Sequence, residues 1–182
     1  ANCKIEALNP NANIVVTPAD HLIIEVEKFR DVISTSLAFT KKNKALLTLG
    51  MYPTRPETGY GYIQAEQNDN EIKSVKIFTE KPNLEMAQKM VESGEFFWNS
   101  GIFIWSLESI TAAFKKHLPE VEGLFAKGAG VWNTPQEQSF LNQTYAACRN
   151  VSIDIGVMEK ADNVNVLCAD FGWSDLGTWG AL

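Results

Sequence analysis

The sequence predicts an α/β fold, a partly open mixed sheet with helices on both of its faces. Short β-branched runs alternate with amphipathic segments, and polar residues follow directly after several of these runs. The first unit is a strand over residues 14–16, a helix over 25–40 and a strand over 45–49. These lengths are typical of a βαβ unit with parallel strands. Open sheets of this kind bind ligands beyond the carboxyl ends of their strands.

Length, composition and charge restrict the class of protein. The 182 residues suffice for one domain with a substantial core, and 45% hydrophobic with 21% charged residues is ordinary for a globular protein. A formal charge of −6 argues against binding to nucleic acid or to an anionic membrane surface. No apolar run approaches the ~18 residues of a membrane span. The three scattered cysteines match neither a disulfide framework nor a zinc site, so we expect a cytoplasmic protein.

Asp20 lies just past the first predicted strand, which Pro18 ends because proline has no N–H to donate. A carboxylate in this position can hold a hard cation such as Mg²⁺, or it can cap the following helix. Asp175 lies beyond another predicted strand, at 164–167, between two glycines and two tryptophans. The two acids form a candidate pair from opposite ends of the chain.

A second set of candidates begins in the segment 53–63, where two glycines enclose Tyr60. Glycine lets the backbone approach a ligand closely, although a glycine-kinked strand that enters a hairpin explains the segment as well. Strands over 63–65 and 74–78, joined by a polar turn, form that predicted hairpin.

Polar residues also follow the hairpin and interrupt the next apolar run. Glu80 can accept hydrogen bonds from sugar hydroxyls, and Lys81 can place a point charge on a phosphate. An exposed ion pair worth under ~1 kcal/mol is the alternative. Asn99 lies in an aromatic stretch, 96–105, which we predict to be a loop leading into a strand buried on both faces. It needs hydrogen-bond partners if buried, and those partners are either structural groups or a ligand.

Apolar periodicity predicts the remaining helices, over residues 3–8, 84–93, 108–116, 119–132, 135–145 and 152–160. Gly94 ends the second of these, and Ser152 is a candidate cap of the last. Asp154 and Lys160 lie at the two ends of that last helix. They either face a ligand or complement the helix dipole.

Six blocks then stand in one order along the chain: PADH at 18–21, PTRPETGYGYI at 53–63, EKP at 80–82, WNSGIF at 98–103, SIDIGVMEK at 152–160 and GWSDLG at 172–177. Together they resemble the sugar nucleotidyltransferase family, most closely its mannose-1-phosphate guanylyltransferase branch. The resemblance spans almost the whole chain. Its small departures are Thr17, Ile155 and Thr178.

The resemblance implies a Rossmann-like sheet and transfer of GMP from GTP to mannose 1-phosphate, with GDP-mannose and pyrophosphate as products. It implies that Asp20 and Asp175 hold Mg²⁺ or another divalent cation, and that Lys81 binds the sugar phosphate. No side chain is needed as a base, because the attacking phosphate oxygen is already ionised, so His21 is expected to be structural. The other implied residues contact substrate, with the last two as lesser candidates: Glu57, Gly59, Tyr60, Gly61, Glu80, Asn99, Asp154 and Lys160.

The resemblance also implies parts of an enzyme that these residues do not match. Such enzymes begin with a glycine-rich loop ending in arginine, followed by segments that read the base, and many end in a β-helix. We therefore expect residues 1–182 to form the sugar-phosphate half of a catalytic domain, inactive alone. The strand at 14–16, which the resemblance places inside the sheet of the intact enzyme, would become an edge here, and we expect dimerisation or a non-native contact at that edge. We also expect the protein to be a homo-oligomer.

Two other functions stay open. One is a nucleotidyltransferase for a different sugar or base, since the segments that read the base are not in the chain. The other is a non-catalytic regulatory subunit that binds a sugar nucleotide. The presence of both Asp20 and Asp175 argues against the regulatory subunit, because a pure binder need not keep two metal ligands.

Overall fold

The computed structural model describes residues 1–177. Within them the strands are β1 (Asn13–Val16), β2 (Leu22–Ile23), β3 (Leu46–Met51), β4 (Tyr62–Ala65), β5 (Ile72–Thr79), β6 (Phe96–Ser106), β7 (Val164–Cys168) and β8 (Trp173–Ser174). The helices are α1 (Asn2–Glu6), α2 (Val26–Lys42), α3 (Leu84–Ser93), α4 (Leu107–His117), α5 (Pro119–Ala126) and α6 (Glu137–Ala147), with a π-helical turn at Asp154–Met158.

The main sheet has six strands in the order β1-β6-β3-β7-β5-β4. Only the β3–β7 pair among these is parallel, so the sheet is mixed, as predicted. β4 also pairs with the first residues of β6, which links five of the strands into a closed circuit. β2 and β8 form a separate two-stranded sheet.

The first predicted unit differs from a simple βαβ unit. β1 and β3 both pair antiparallel with β6, so they run in the same direction but are not neighbours. β6 lies between them, and its second half is buried because its apolar side chains pack on both faces of the sheet against the two helix layers. Pairing between segments this far apart leaves no local signal in the sequence.

Helices cover both faces of the sheet, which confirms the predicted layers. One core joins Leu46 of β3 to α4 and α5, while the other joins Leu47 and Leu49 to α2 and α3. The alternation along β3 is the period of two that a strand imposes. All six β3 residues are buried, as expected for a strand covered on both sides.

Local signals placed several elements correctly. Helix α3 spans residues 84–93 as predicted, because the Asn83 side chain accepts a hydrogen bond from the Met86 N–H and Gly94 adopts a left-handed φ of 68°. The β4–β5 hairpin is also confirmed.

Three predicted elements differ from the structure in their limits or in their type. The stretch 96–105 contains no leading loop but is strand throughout, and Gly101 with a φ of 71° lies within it. The helix predicted over 119–132 ends at Ala126, with Gly128 and Gly130 shortly after it. The segment 152–160 forms a π-helical turn, in which the Glu159 N–H donates to the Asp154 carbonyl.

β1 lies at an edge of the main sheet, where it pairs only with β6 among the described residues. Val16 at its end is 42% exposed, so the strand is less buried than its β-branched sequence predicted. Across residues 1–177, no helix combines the length and the apolar character that crossing a membrane would require.

Candidate active site

Asp20 and Asp175 are brought together by the small β2–β8 sheet. Leu22 pairs with Ser174 in an antiparallel register. One further step in that register places His21 opposite Asp175, with Asp20 as the next residue. The carboxylates of Asp20 and Asp175 both act on the pKa of His21, so the two acids lie near one imidazole.

Asp20 does not cap a helix. The next helix, α2, begins only at Val26, and Glu25 is its N-cap residue. Asp20 is exposed, in the loop between β1 and β2. The alternative explanation of Asp20 as a cap is therefore wrong, and its carboxylate is available to a ligand at this edge.

His21 has a structural hydrogen bond. Its Nδ1 accepts from Nε1–H of Trp173 at 3.0 Å, and the two rings meet edge to face. Burial lowers the pKa of His21, although the two neighbouring carboxylates oppose this shift. A neutral imidazole that accepts at Nδ1 fits the expected structural role.

Asp175 is held by two donors on one oxygen. Its Oδ1 accepts from the Tyr60 hydroxyl at 2.6 Å and from the Gly177 N–H at 2.9 Å. Tyr60 packs edge to face against Trp98 and Trp173. Burial, followed by the bond to Asp175, raises the pKa of Tyr60, so the phenol stays protonated and donates.

A second polar group surrounds Asn99. Its amide Nδ2 donates to Oδ1 of Asp154 at 3.0 Å, and its Oδ1 accepts from the Thr48 hydroxyl at 3.0 Å. Glu80 lies beside it across Gly61, where a built Cβ would stand 2.8 Å from Oε2 of Glu80. The structure thus brings Glu80, Asn99 and Asp154 together.

Burial and neighbouring charges shift the pKa values of the acids in this group. Burial raises the pKa of Glu80, and the Asp154 carboxylate adds to the shift. Burial likewise raises the pKa of Asp154, against the opposing effects of the Asn99 hydrogen bond and the Lys81 charge. Lys81 is exposed at a left-handed φ of 46°, and its Nζ lies 3.4 Å from Oε1 of Glu80. Its positive charge lowers the pKa of both Glu80 and Asp154, against the effect of burial.

Two short segments connect the acidic pair to the polar group. Tyr60 contacts Asp175, and the next residue, Gly61, lies against Glu80 and accepts from the Asn99 N–H at 2.8 Å. A Cβ on Gly101 would lie 3.5 Å from Pro18, in the turn that leads to Asp20. The two groups therefore occupy adjacent parts of one surface.

The loop before β4 is shaped by Glu57. Its carboxylate accepts from the Gly59 N–H at 3.2 Å and from Arg55 Nε at 3.3 Å, and its own N–H donates to the Tyr62 hydroxyl. The Glu57 side chain is thus used within the loop. The loop borders a cavity of about 310 Å³ that is lined in part by Tyr60, Trp98 and Trp173.

Lys160 is not brought to this group. It is exposed at the far end of the π-helical turn, and its charge acts on His117 at the end of α4. The charges that act on Glu80 and Asp154 include Lys81 but not Lys160.

The sequence did not reveal two contacts of the site. The Tyr60 hydroxyl, predicted only as part of a backbone contact, reaches Asp175, and the Glu159 carboxylate accepts from the Glu80 N–H at 3.2 Å. Both join segments far apart in the chain. The aromatic residue between two glycines was the one local signal for the first contact.

A larger cavity, of about 570 Å³, lies between α1, α4, α5 and α6. Its lining is mostly apolar and contains none of the predicted site residues. Its size alone would select it as a ligand site, but the candidate residues of this chain lie elsewhere.

The acidic pair suits a magnesium ion. Mg²⁺ prefers oxygen ligands and often takes only one or two carboxylates beside substrate phosphates. Asp20 and Asp175 supply two such carboxylates, and both act on the pKa of the same imidazole, that of His21. Within residues 1–177, three or more His, Cys, Asp or Glu side chains are nowhere grouped as a self-sufficient metal site.

Comparison with known proteins gives a consistent result. The profile of the family described as nucleotidyl transferase matches residues 2–182. The chain is 36% identical to a mannose-1-phosphate guanylyltransferase of Sinorhizobium fredii, over 100% of this chain and 36% of that protein. It is 33% identical to one from Escherichia coli, over 98% of this chain and 40% of that protein.

A solved structure shares the fold. The crystal structure titled mannose-1-phosphate geranyltransferase, from Thermus thermophilus, superimposes with a TM-score of 0.86 at 33% identity. It covers 98% of this chain, which spans 51% of that one. The chain therefore spans about two fifths of the two curated relatives and about half of this structure.

Proposed function

The chain belongs to the nucleotidyl transferase family, and on that basis we propose that it forms the sugar-phosphate half of a mannose-1-phosphate guanylyltransferase. The full-length enzyme transfers GMP from GTP to mannose 1-phosphate, giving GDP-mannose and pyrophosphate. The observation that carries the proposal is that Asp20 and Asp175, 155 residues apart in sequence, both lie near His21 at the β2–β8 sheet, beside the Asn99 group.

The reaction needs positioning and charge neutralisation more than covalent help from the protein. A phosphate oxygen of mannose 1-phosphate attacks the α-phosphorus of GTP, and the bond from that phosphorus to the pyrophosphate oxygen breaks. Both reactants are anionic, so holding them together in line is the main task. The attacking oxygen is already ionised, and no side chain has to remove a proton.

Asp20 and Asp175 are the residues that would hold Mg²⁺ in this proposal. When bound, the ion supplies positive charge between the sugar phosphate and the α-phosphate. His21, whose Nδ1 is occupied by Trp173, supports the turn and takes no proton. Lys81, exposed beside Glu80, adds a mobile positive charge for the sugar phosphate.

The Asn99 group supplies the sugar contacts. Glu80 has acceptor oxygens for sugar hydroxyls, and Asn99 lies beside it with its amide orientation fixed by Asp154 and Thr48. The backbone of residues 57–61 forms the adjacent wall, with Gly61 leaving room for Glu80. Asp154 acts by holding Asn99, and Lys160 stays a lesser candidate because no contact brings it near.

Three finer expectations belong to the same proposal. We place the enzyme in the cytoplasm, since Cys3, Cys148 and Cys168 are free thiols. We expect residues 1–182 on their own to self-associate, because β1 pairs only with β6 within residues 1–177. We also expect residues 1–182 to lack activity alone, since the glycine-rich nucleotide loop typical of the family is not matched within them.

The test is GDP-mannose formation by the full-length protein in the presence of Mg²⁺. Asp175→Asn should lower the rate by at least ~100-fold, because it weakens the carboxylate pair at the phosphates. The control is Asp31→Asn, which changes an exposed acid on α2 and should leave the rate unchanged.

A panel of sugar 1-phosphates and nucleoside triphosphates separates the alternatives. Full activity with another sugar or base would replace the proposed substrates while keeping the reaction. Binding of a sugar nucleotide without turnover of any pair would indicate a regulatory subunit and contradict the proposal. Undiminished activity of Asp175→Asn would remove the acidic pair from the mechanism.

A further inference from the structure

Tyr60 is buried beside the acidic pair, and its hydroxyl contacts Asp175. The residue is 7% exposed, and its hydroxyl donates to Oδ1 of Asp175 at 2.6 Å. We infer that Tyr60 is a positioning residue that orients the Asp175 carboxylate for cation binding. The inference rests on the proposed function, in which Asp175 holds Mg²⁺.

The aromatic packing leaves the phenol little freedom. The Tyr60 ring meets Trp98 at 5.1 Å and Trp173 at 5.4 Å between centroids, edge to face in both cases. Trp173 is itself bound to His21, the neighbour of Asp20. The ring is therefore fixed from two sides, and its hydroxyl direction is fixed with it.

The two oxygens of Asp175 are used differently. Both hydrogen bonds that the carboxylate accepts within residues 1–177 end on Oδ1, from Tyr60 and from the Gly177 N–H. Oδ2 keeps its lone pairs and lies over Gly177, where a built Cβ would stand 2.8 Å away. The two donors occupy Oδ1, and the absence of a side chain at Gly177 leaves space beside Oδ2. Oδ2 is therefore the oxygen that we expect a cation to bind.

A partner in the outer shell of a metal site fixes the orientation of its ligand, and its loss typically lowers metal affinity by ~10- to 100-fold. Tyr60 was predicted from the sequence to contact the sugar. The two roles make different predictions, since a positioning residue changes cation affinity and a sugar contact changes the KM for mannose 1-phosphate.

The experiment compares Mn²⁺ binding to the full-length protein and its variants, measured by electron paramagnetic resonance of the free ion. Tyr60→Phe keeps the ring and should weaken the Kd for Mn²⁺ by ~10-fold or more. Gly177→Ala, at an exposed position, should also weaken it by displacing Oδ2. Urea unfolding of each variant establishes that it folds.

The matched control is Tyr62→Phe. Tyr62 is fully buried, and its hydroxyl also makes one hydrogen bond, but to the Glu57 N–H. The same atom is removed two residues away, so a general effect of the lost hydroxyl would appear in both variants. We expect the Kd for Mn²⁺ of Tyr62→Phe to match that of the unmodified protein.

The outcomes separate the inference from the proposed function. Weaker Mn²⁺ binding in Tyr60→Phe with an unchanged KM for mannose 1-phosphate supports positioning. A raised KM with unchanged Mn²⁺ affinity overturns it in favour of a sugar contact. If Asp175→Asn also leaves Mn²⁺ affinity unchanged, or if the unmodified protein binds none, the metal role of the pair fails and the inference fails with it.

Discussion

Asn99 donates a hydrogen bond from its amide to Oδ1 of Asp154 at 3.0 Å and so joins β6 to the π-helical turn. The amide oxygen accepts from the Thr48 hydroxyl and from the Gly101 N–H. Each end of the amide therefore has its partners, which settles how the group is oriented. Three segments that are distant in sequence meet at this one side chain.

Removal of the Asn99 amide should destabilise the folded protein. Asn99→Ala leaves the Asp154 carboxylate and the Thr48 hydroxyl without this partner, and an unmade buried bond costs about 1–3 kcal/mol. We expect the free energy of unfolding to fall by that amount, as measured by urea denaturation of the chain.

Gln64→Ala is the control for this loss. The Gln64 amide also donates to a carboxylate, that of Glu95, at 2.6 Å, but at an exposed site. Its removal should change the unfolding free energy by less than ~0.5 kcal/mol. Equal costs for the two substitutions would show that the Asn99 amide is not a structural link.

Gly61 provides the close approach between the loop and the Asn99 group. A Cβ there would stand 2.8 Å from Oε2 of Glu80 and 3.3 Å from Cβ of Asn99. Gly61→Ala should displace Glu80 and raise the KM for mannose 1-phosphate of the full-length enzyme several-fold, because one misplaced contact weakens binding.

A second glycine gives the comparison for Gly61. Gly123 lies inside α5, and a Cβ there would meet nothing within 4 Å. Gly123→Ala should stabilise the protein by about 0.5–1 kcal/mol, since alanine favours the helix, and should leave the KM unchanged. An unchanged KM in Gly61→Ala as well would place the sugar elsewhere.

The sequence predicted those parts of the fold whose causes are local. Helix α3 has its own cap at Asn83 and its own stop at Gly94, so its limits were predicted to the residue. The hairpin turn likewise lies between its two strands. The site loop could be recognised because the two glycines and the tyrosine are adjacent in the chain.

The parts that the residue pattern could not predict depend on distant segments. The position of β6 between β1 and β3 is decided by pairing between segments that are 87 to 93 residues apart for β1 and 47 to 59 residues apart for β3. The β2–β8 sheet, which brings the acidic pair together, has only two residues in each strand. Such short strands carry no periodicity, so the residue pattern offered the two acids only as a candidate pair, and the family resemblance was the stronger indication that they meet.

The half-buried acid Glu80 should make stability depend on pH. Burial raises its pKa in the folded protein above the ordinary value of 4.5. The folded state then holds its proton more tightly than the unfolded state, so the stabilising effect is complete below the ordinary value and is lost as pH rises through the folded-state pKa. Between pH 4.5 and the raised pKa of folded Glu80, the free energy of unfolding of the unmodified chain should fall relative to that of Glu80→Gln. Urea unfolding at several pH values measures this difference.

Glu137→Gln provides the opposite sign for comparison. The Glu137 carboxylate accepts from Lys4 at 2.6 Å and from the Asn133 N–H at 2.7 Å, and the bond to Lys4 is the main cause of its lowered pKa. Its contribution is present above the ordinary value and is lost as pH falls through the lowered pKa. If both substitutions shifted stability in the same direction with pH, the burial of Glu80 would not explain its effect.

The open edge of β1 should make the chain self-associate. Its outer N–H and C=O groups have no strand partner within residues 1–177, and Val16 adds an exposed apolar side chain. We expect sedimentation velocity to show a dimer whose fraction increases with protein concentration. Val16→Lys should prevent the dimer, because a charge on an edge strand opposes pairing.

Ile77→Lys is the control for the loss of an exposed apolar side chain. Ile77 is 46% exposed on β5, which already has neighbouring strands on both sides, so dimerisation should persist. Loss of the dimer in both variants would mean that general surface hydrophobicity drives association, and a monomer at every concentration would show that the edge is not used.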